Sequence, residues 1–184
     1  MDIESTNIEG VFIIRPMVFE DERGYFTELY SQRGYCSEIF DKESVQFNFS
    51  HSSSNVLRGL HYQRTKPQGK LVQVLKGKIF DVGVDIRKNS PTFGEHFSLI
   101  FSDQDHIQIY FPPGIAHGFC VLSEYADVTY QCTDYYYPDD EGGLLWNDPD
   151  LNIDWPIDDP IVSEKDQIFK RLIEFRDDEY PIAQ

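Results

Sequence analysis

The sequence predicts a mainly β domain, an antiparallel sandwich or jelly-roll β-barrel with a few short helices that lie mostly near the C-terminus. Strand-like runs recur along the chain, turn signals separate them about every ten residues, and helical periodicity is scarce. The 184 residues, of which 40% are hydrophobic, suffice for one domain with a substantial core. We therefore interpret residues 1–184 as a single domain.

The N-terminal region alternates between strand and turn signals. Residues 11–19 are strand-like, but Pro16 cannot donate to a sheet and places this segment at an edge or a bulge. The predicted elements that follow are a turn at 21–24, a strand at 25–30 and a short helix at 33–40.

A row of neutral polar side chains lies along the next predicted strand, at residues 45–52. Gln46, Asn48 and Ser50 share one face of it, because successive side chains in a strand point to opposite faces. Amides and hydroxyls in such a row suit a wet interior or a ligand-facing surface. They suit a solvent-facing surface equally well, and the pattern leaves both interpretations open.

The densest group of chemically capable residues runs from Arg58 to Lys70, with His61 between the two cations. A His exchanges protons near neutral pH, an Arg binds phosphate oxygens through two parallel donors, and a Lys stabilises a developing oxyanion. These groups match proton abstraction next to a carbonyl on a phosphorylated substrate. The plainer alternative is three polar residues scattered at the end of an edge strand, and the spacing does not separate the two.

The spacing of Arg58 and His61 sets a geometric condition. Because they are three residues apart, they point to opposite faces of a regular strand. Both can line one cavity only if the chain bulges or bends between them, and Gly59 is the residue that permits this.

The second half of the chain continues the β pattern. Residues 71–75 and 79–86 are predicted to form a hairpin around 76–78. In its second arm, apolar residues share one face, and Asp81 and Asp85 share the other. The later predicted elements are a turn at 90–94, strands at 95–101, 107–111, 117–122 and 127–135, and a helix at 163–175 that Ser163 caps.

Charge and cysteine content restrict the partners and the compartment. The chain carries 16 Lys and Arg against 32 Asp and Glu, a net charge of −16, which repels nucleic acids and anionic membrane surfaces. The sequence contains neither a secretory leader pattern nor an apolar run long enough to span a bilayer. Cys36, Cys120 and Cys132 show no metal-binding spacing and suit reduced thiols. We therefore expect a cytoplasmic protein that binds neither nucleic acid nor membranes.

One motif resembles half of a known metal-site pattern. Residues 112–118 match the P-x-G-x-x-H half of a cupin-type jelly roll, with His117 as its histidine. Metal-binding cupins carry H-x-H and a downstream Glu in the other half, where this chain has His61-Tyr62-Gln63. Two imidazoles fall short of the three or more protein ligands that such sites use, so we predict no metal.

Longer motifs follow one another in order over nearly the whole chain. They are Phe19-x-Asp21-x-Arg23-Gly24-x-Phe26-x-Glu28, Gln46-x-Asn48-x-Ser50, residues 56–63, 68–72, 81–87 and 112–122, Tyr130-x-Cys132-Thr133, residues 143–149, and Ser163-Glu164-Lys165-Asp166. Together they resemble the dTDP-4-dehydrorhamnose 3,5-epimerase family. Relatives with this fold include mono-epimerases and ketoisomerases. A non-catalytic nucleotide-sugar binding protein and a metal-dependent cupin enzyme are the alternatives from other classes.

The resemblance implies a cupin-like jelly-roll homodimer without metal or organic cofactor, acting on dTDP-4-dehydro-6-deoxyglucose in rhamnose synthesis. The C4 carbonyl of this sugar acidifies the hydrogens at C3 and C5. A base removes each hydrogen and an acid returns a proton to the opposite face. By motif matching, His61 is the base and Tyr130 the acid. Lys70 lies near the C4 oxygen, and Asp166 orients His61.

Two of the implied assignments stay open. Asp81 and Asp85 compete with Asp166 as the carboxylate that fixes the tautomer of the base. Either Tyr136 or Tyr137 stacks on the nucleotide base.

The resemblance also implies the remaining substrate contacts. Arg58 holds the diphosphate, and His117 lines the sugar pocket. In dimers of this family the N-terminal strands cross to the neighbour, so their residues serve the partner's pocket. The predicted substrate-binding residues are Arg23, Phe26, Glu28, Gln46, Asn48, Arg58, His117, Tyr136 and Lys165.

Overall fold

The computed structural model describes residues 1–39 and 42–182, without the side chains of 36–38. In chain order the strands are β1 (Asp2–Ser5), β2 (Phe12–Arg15), β3 (Val18–Asp21), β4 (Gly24–Thr27), β5 (Gln46–Ser53), β6 (Val56–Gln63), β7 (Lys70–Lys76), β8 (Lys78–Asp85), β9 (His96–Ser102), β10 (Gln108–Phe111), β11 (Ile115–Val121), β12 (Tyr125–Cys132), β13 (Glu141–Gly143) and β14 (Ile161–Val162). The helices are α1 (Gln32–Glu38) and α2 (Glu164–Gln167), with 3₁₀ turns at Pro138–Asp140, Leu172–Glu174 and Asp177–Glu179.

Two sheets face each other across the molecule. The first has the strand order β1-β2-β10-β7-β12-β5, and the second has the order β13-β6-β11-β8-β9 with β14 pairing to β6. Only the short β14–β6 pair is parallel among the described strands. The predicted antiparallel sandwich or jelly-roll class is confirmed, and the described strands form two facing sheets without closing into a barrel. Within the described chain, β3 and β4 pair only with each other.

The core has an inner and an outer layer. Residues from both sheets, such as Val72, Ile109 and Val121, fill the space between the sheets. The outer face of the second sheet is covered by the C-terminal segment, which places Leu144 and Leu172 against β6, β8 and β11. Fully burying each such side chain contributes roughly 1.5–3 kcal/mol. The central strands β8 and β11 of this sheet are therefore buried on both faces.

The predicted hairpin at 71–86 is wrong. β7 belongs to the first sheet and β8 to the second, so the chain crosses between sheets at Gly77. Gly77 has a φ of +88°, and a Cβ there would lie 2.2 Å from the carbonyl oxygen of Tyr125. This sharp crossing therefore requires glycine. The alternation predicted for 79–86 holds, since the apolar face of β8 packs in the outer layer.

The predicted helix at 163–175 is also wrong in length. Ser163 caps α2 as expected, but the helix ends after one turn. The chain then pairs with residues near β13, through a bridge between Leu144 and Lys170 and a bond from the Leu145 N–H to the Lys170 carbonyl. These backbone bonds replace the helical ones, so the helix stops there.

The other predicted elements occur with shifted ends. Pro16 separates β2 from β3, as the sequence suggested. The strand predicted at 25–30 ends at Thr27, and α1 covers the helix predicted at 33–40, whose residue 40 lies outside the described residues. None of the helices in the described ranges has the length and hydrophobicity of a membrane span.

Gly59 supplies the bend that the sequence required. It has a φ of +118°, and the register of β6 against β11 shifts beside it. His61 pairs with His117, whereas Arg58 pairs with Phe119, so β6 carries one residue more than β11 across this interval. The bulge turns Arg58 and His61 toward the same cavity.

Candidate active site

Two adjoining cavities of about 270 and 640 Å³ lie between the sheets and share His61, Lys70 and Tyr130. The smaller is also lined by residues that include Gln46, Asn48, Tyr136 and Glu141. The larger is also lined by residues that include Ser50, Arg58, His117, Lys165 and Asp166. The structure therefore gathers most of the predicted site residues into one cleft.

The sheet topology places the three shared side chains on two walls. His61 comes from β6 in the second sheet, whereas Tyr130 and Lys70 come from β12 and β7 in the first. Lys70 pairs directly with Cys132, two residues beyond Tyr130, so both side chains emerge from the same face. An imidazole thus faces a phenol across the cleft, and the ammonium lies on the phenol's wall.

Asp166 fixes His61. The Nε2 of His61 lies 2.7 Å from Asp166 Oδ1, and the Gly59 N–H donates to Asp166 Oδ2 at 3.2 Å. Burial alone would raise the pKa of Asp166, but the hydrogen bond and charge of His61 hold it below its usual value. An ionised carboxylate only accepts hydrogen bonds, so Nε2 carries the hydrogen and Nδ1 keeps the lone pair of a base.

The rival carboxylates have other partners. Asp81 Oδ1 lies 2.7 Å from His117 Nε2, and both residues are buried. The second oxygen, Oδ2, has no hydrogen-bond partner among the described residues. Burial raises the pKa of Asp81 and lowers that of His117. Asp85 binds Arg87, with Nη2 at 2.7 Å from Oδ2.

Burial shifts the pKa of Lys70 and Tyr130, the other two side chains that line both cavities. It lowers the pKa of Lys70, whose ammonium donates to the His61 carbonyl at 3.2 Å. It raises the pKa of Tyr130, so the phenol stays protonated at neutral pH. A protonated phenol can donate a proton, and a buried ammonium can stabilise negative charge on a carbonyl oxygen.

The polar row of β5 faces the cleft. Gln46 and Asn48 line the smaller cavity and Ser50 the larger, while Phe47 and Phe49 are 67% and 62% exposed on the opposite face. The strand thus reverses the usual arrangement, with polar residues inside and aromatic residues outside. Of the two interpretations left open by the sequence, the cavity-facing one is confirmed.

The remaining cationic groups stand near the larger cavity. Arg58 Nε donates to Ser52 Oγ at 2.9 Å, which fixes its guanidinium at the cavity wall. Lys165 Nζ donates to Glu141 Oε2 at 2.8 Å. Arg58 is bonded to the neutral Ser52 hydroxyl and keeps its positive charge at the cavity wall, whereas the charge of Lys165 is balanced by Glu141.

Three predicted binding residues lie outside the cleft of this chain. Arg23 is bonded to Asp21, with its side chain 85% exposed, and Phe26 is 69% exposed. Glu28 accepts a bond from Ser31 Oγ at 2.8 Å. All three belong to the β3–β4 ribbon or the segment after it.

Sequence reasoning missed one residue that lines the cleft, Glu141, and one that packs against His61, Phe169. Glu141 accepts bonds from Lys165 and from the Tyr136 hydroxyl, the latter at 2.9 Å. The ring of Phe169 packs edge-on against His61 with 5.8 Å between centroids. No local signal marks either residue, because both reach the cleft through the long-range folding of the C-terminal segment. Within the described ranges, no cluster of three or more His, Cys, Asp or Glu could hold a metal ion.

Comparison with known proteins agrees with this geometry. The family model described as dTDP-4-dehydrorhamnose 3,5-epimerase matches residues 5–174. The dTDP-4-dehydrorhamnose 3,5-epimerase of Methanothermobacter thermautotrophicus is 48% identical over 92% of this chain and 93% of its own length. The structure of dTDP-6-deoxy-D-glucose-3,5-epimerase from Legionella pneumophila, in complex with dTDP-4-keto-L-rhamnose, is 45% identical and covers 100% of this chain and 98% of its own, with a TM-score of 0.95.

A solved structure with lower sequence identity is that of a mono-epimerase. ChmJ, a 3'-monoepimerase from Streptomyces bikiniensis in complex with dTDP-quinovose, is 30% identical over 91% of this chain and 86% of its own, with a TM-score of 0.84. The family model and the relatives that cover nearly the whole chain identify the same family. The chain belongs to the dTDP-4-dehydrorhamnose 3,5-epimerase family.

Proposed function

We propose that this chain epimerises C3 and C5 of dTDP-4-dehydro-6-deoxy-D-glucose to give dTDP-4-dehydro-L-rhamnose. The observation that carries the proposal is the position of His61 and Tyr130 on opposite walls of a cleft that also holds Lys70. Inversion at a carbon next to a carbonyl needs a base on one face, an acid on the other and a cation at the oxygen. Membership of the family supports the choice of substrate.

In this mechanism His61 takes a proton through Nδ1 while Asp166 holds the ring and stabilises the imidazolium. The electron pair moves to the C4 oxygen, where Lys70 stabilises the enolate. Comparable oxyanion donors are worth about 3–4 kcal/mol in other enzymes. Tyr130 then delivers a proton to the opposite face. Before the second carbon reacts in the same way, His61 gives its proton to solvent and the phenolate of Tyr130 takes one from solvent.

The rest of the cleft binds the nucleotide. Arg58 and Lys165 hold the diphosphate, and His117 lines the sugar pocket. Gln46 and Asn48 contact the nucleoside. Of the two candidate stacking residues, the position of Tyr136 in the cleft favours it. The ring of Tyr137 instead packs against the Lys66 ammonium, whose Nζ lies 3.6 Å from the centroid of the ring.

The N-terminal ribbon serves a second copy of the chain in a homodimer. Its exposed aromatic residues support this, since Phe19 is 57% exposed and Phe26 is 69% exposed. The two rings are neighbours, with 6.4 Å between their centroids, and an exposed apolar patch is typical of an interface. In the dimer Arg23, Phe26 and Glu28 reach the nucleotide in the partner's cleft.

The enzyme works in the cytoplasm and binds neither nucleic acid nor membranes. The net charge of −16 supports the lack of affinity for polyanions. The free thiols of Cys120 and Cys132 support a reducing compartment. The side chain of Cys36 lies outside the described ones.

Incubation with the substrate in D₂O tests the function. Deuterium should enter at both C3 and C5, and the product should have inverted configuration at both. Label at one carbon indicates a mono-epimerase, the second candidate that the similarity to ChmJ favours. A moved carbonyl indicates a ketoisomerase, and binding without exchange indicates a non-catalytic protein.

A further inference from the structure

One carboxylate in the cleft has no role in the mechanism above. Glu141, the first residue of β13, lines the same cavity as His61, Lys70 and Tyr130, and its side chain is 15% exposed. A negative charge in a cleft that receives a diphosphate opposes binding unless a cation neutralises it. The presence of Glu141 therefore needs a physical reason.

Glu141 joins two side chains that the proposed function gives to the nucleotide. Its Oε2 accepts the Lys165 ammonium at 2.8 Å and the Tyr136 hydroxyl at 2.9 Å. Lys165 comes from α2, next to Asp166, and Tyr136 follows β12. Side chains from three separate segments thus meet at one oxygen.

The Glu141–Lys165 contact is an ion pair. Burial alone would raise the pKa of Glu141, but the hydrogen bond from Lys165 and the charge of His61 lower it. Burial alone would lower the pKa of Lys165, and the hydrogen bond to Glu141 raises it instead. Both groups are therefore charged at neutral pH, and the ammonium is already occupied before any ligand arrives.

We propose that Glu141 competes with the diphosphate of the nucleotide for Lys165 and thereby limits how tightly the nucleotide is held. A phosphate oxygen must displace the carboxylate or share the ammonium with it. The competition weakens binding of substrate and product alike, which favours product release. This inference rests on the proposed role of Lys165 as a ligand of the diphosphate.

A double-mutant cycle tests the competition, with dTDP as the probe in isothermal titration calorimetry at fixed ionic strength. Glu141→Gln removes the charge at nearly constant size, and Lys165→Met removes the ammonium. We expect Glu141→Gln to bind dTDP about two- to fivefold more tightly, the range for loss of a partly exposed ion pair. Lys165→Met should bind it more weakly. In the Lys165→Met background only general repulsion by the carboxylate remains, so Glu141→Gln should tighten binding by a smaller factor than it does with Lys165 present.

Asp177→Asn is the matched control. It also removes one negative charge from an ion pair, because Asp177 is paired with Lys88, but the Asp177 side chain is fully exposed. It should leave dTDP affinity unchanged. Unchanged or weaker binding by Glu141→Gln overturns the inference. Equal tightening with and without Lys165 also overturns it, since the carboxylate then acts by general repulsion.

The cycle separates this inference from the proposed function. If Lys165→Met binds dTDP as well as the unmodified protein does, the diphosphate role of Lys165 and the competition both fail. If the cycle gives the expected affinities while the unmodified protein exchanges no deuterium into the substrate, the proposed reaction fails and the competition stands.

Discussion

Two histidines line the cleft, and each is bonded through Nε2 to a carboxylate oxygen at 2.7 Å. Their surroundings differ. The side chain of His61 is 27% exposed and its partner Asp166 has a lowered pKa, whereas that of His117 is 7% exposed and its partner Asp81 has a raised pKa. The same contact therefore suits the accessible base that we propose in one place and a buried polar wall in the other. Solvation, more than hydrogen-bond geometry, separates the two roles.

The largest expected difference concerns turnover. His61→Ala should lower kcat about 10²–10⁴-fold, the usual contribution of a general base, with little change in dTDP affinity. His117→Ala should raise KM for the sugar nucleotide and lower kcat less than about tenfold, because in the proposed function this imidazole positions the sugar. Steady-state kinetics of both variants measures the contrast. Equal losses of kcat would remove the distinction between the two pairs.

Gly59 contacts both histidine–carboxylate pairs, His61–Asp166 and His117–Asp81. A substitution at Gly59 should therefore disturb the packing of both pairs. Its N–H donates to Asp166, and a Cβ there would lie 2.6 Å from the Gly118 Cα and 2.7 Å from the His117 carbonyl oxygen. We expect Gly59→Ala to reduce the free energy of unfolding by about 2–4 kcal/mol, measured by urea denaturation.

Gly24→Ala is the control for that change. Gly24 has a φ of +121°, close to that of Gly59, but a Cβ there would meet no described atom within 4 Å. It should destabilise the protein less, through backbone strain alone. Equal destabilisation by the two substitutions would mean that close packing at the bulge contributes nothing.

Part of this site is readable from sequence because local rules determine it. The alternation of β5 predicted the polar row, and the spacing of Arg58 and His61 made a bulge at Gly59 the condition for a shared cavity. Ser163 predicted the cap that begins α2. Each of these depends on residues that are neighbours in the chain.

The errors concern contacts between distant segments. The crossing between β7 and β8 depends on which sheet each strand joins, and the hairpin pattern carries no information on that choice. Likewise, α2 is short because residue 170 pairs with Leu144, and the same folding brings Glu141 and Phe169 to His61. In our proposal Arg23 and Phe26 bind the nucleotide in the cleft of a partner chain. Their proposed role therefore depends on the dimer and not on the cleft of their own chain.

Phe169 contacts His61, so its substitution tests whether the surroundings of His61 contribute to turnover. We expect a smaller effect than for His61 itself. Its ring packs edge-on against His61, and it occupies the space that Gly143 leaves, where a Cβ would lie 2.2 Å from the ring. An aromatic contact of this kind is worth about 0.5–1.5 kcal/mol, so Phe169→Ala should lower kcat about three- to tenfold without changing dTDP affinity. The neighbouring Ile168→Ala, whose residue is 81% exposed, should change neither. A larger effect of Ile168→Ala would contradict this role.

The two carboxylates should also give stability a pH dependence of opposite sign. The pKa of Asp166 is lowered by folding, so its ionisation stabilises the protein above the ordinary value of 3.8 and this stability is lost as pH falls through the folded pKa. The pKa of Asp81 is raised, so its ionisation costs stability as pH rises from 3.8 through the folded pKa.

Urea denaturation against pH measures both effects. Asp166→Asn should be less stable than the unmodified protein by about 1–3 kcal/mol at neutral pH, and the difference should shrink below pH 3.8. The loss caused by Asp81→Asn should instead be greatest at acidic pH. Parallel pH profiles for the two variants would show that the carboxylates have the same environment.

The most direct test of the mechanism is deuterium incorporation by Tyr130→Phe in D₂O, followed by NMR of the recovered sugar nucleotide. If His61 removes the proton and Tyr130 returns one to the other face, this variant should still exchange hydrogen next to the carbonyl while retaining the original configuration. Epimerised product formed at the unmodified rate would contradict the account, because the phenol would then not be the acid.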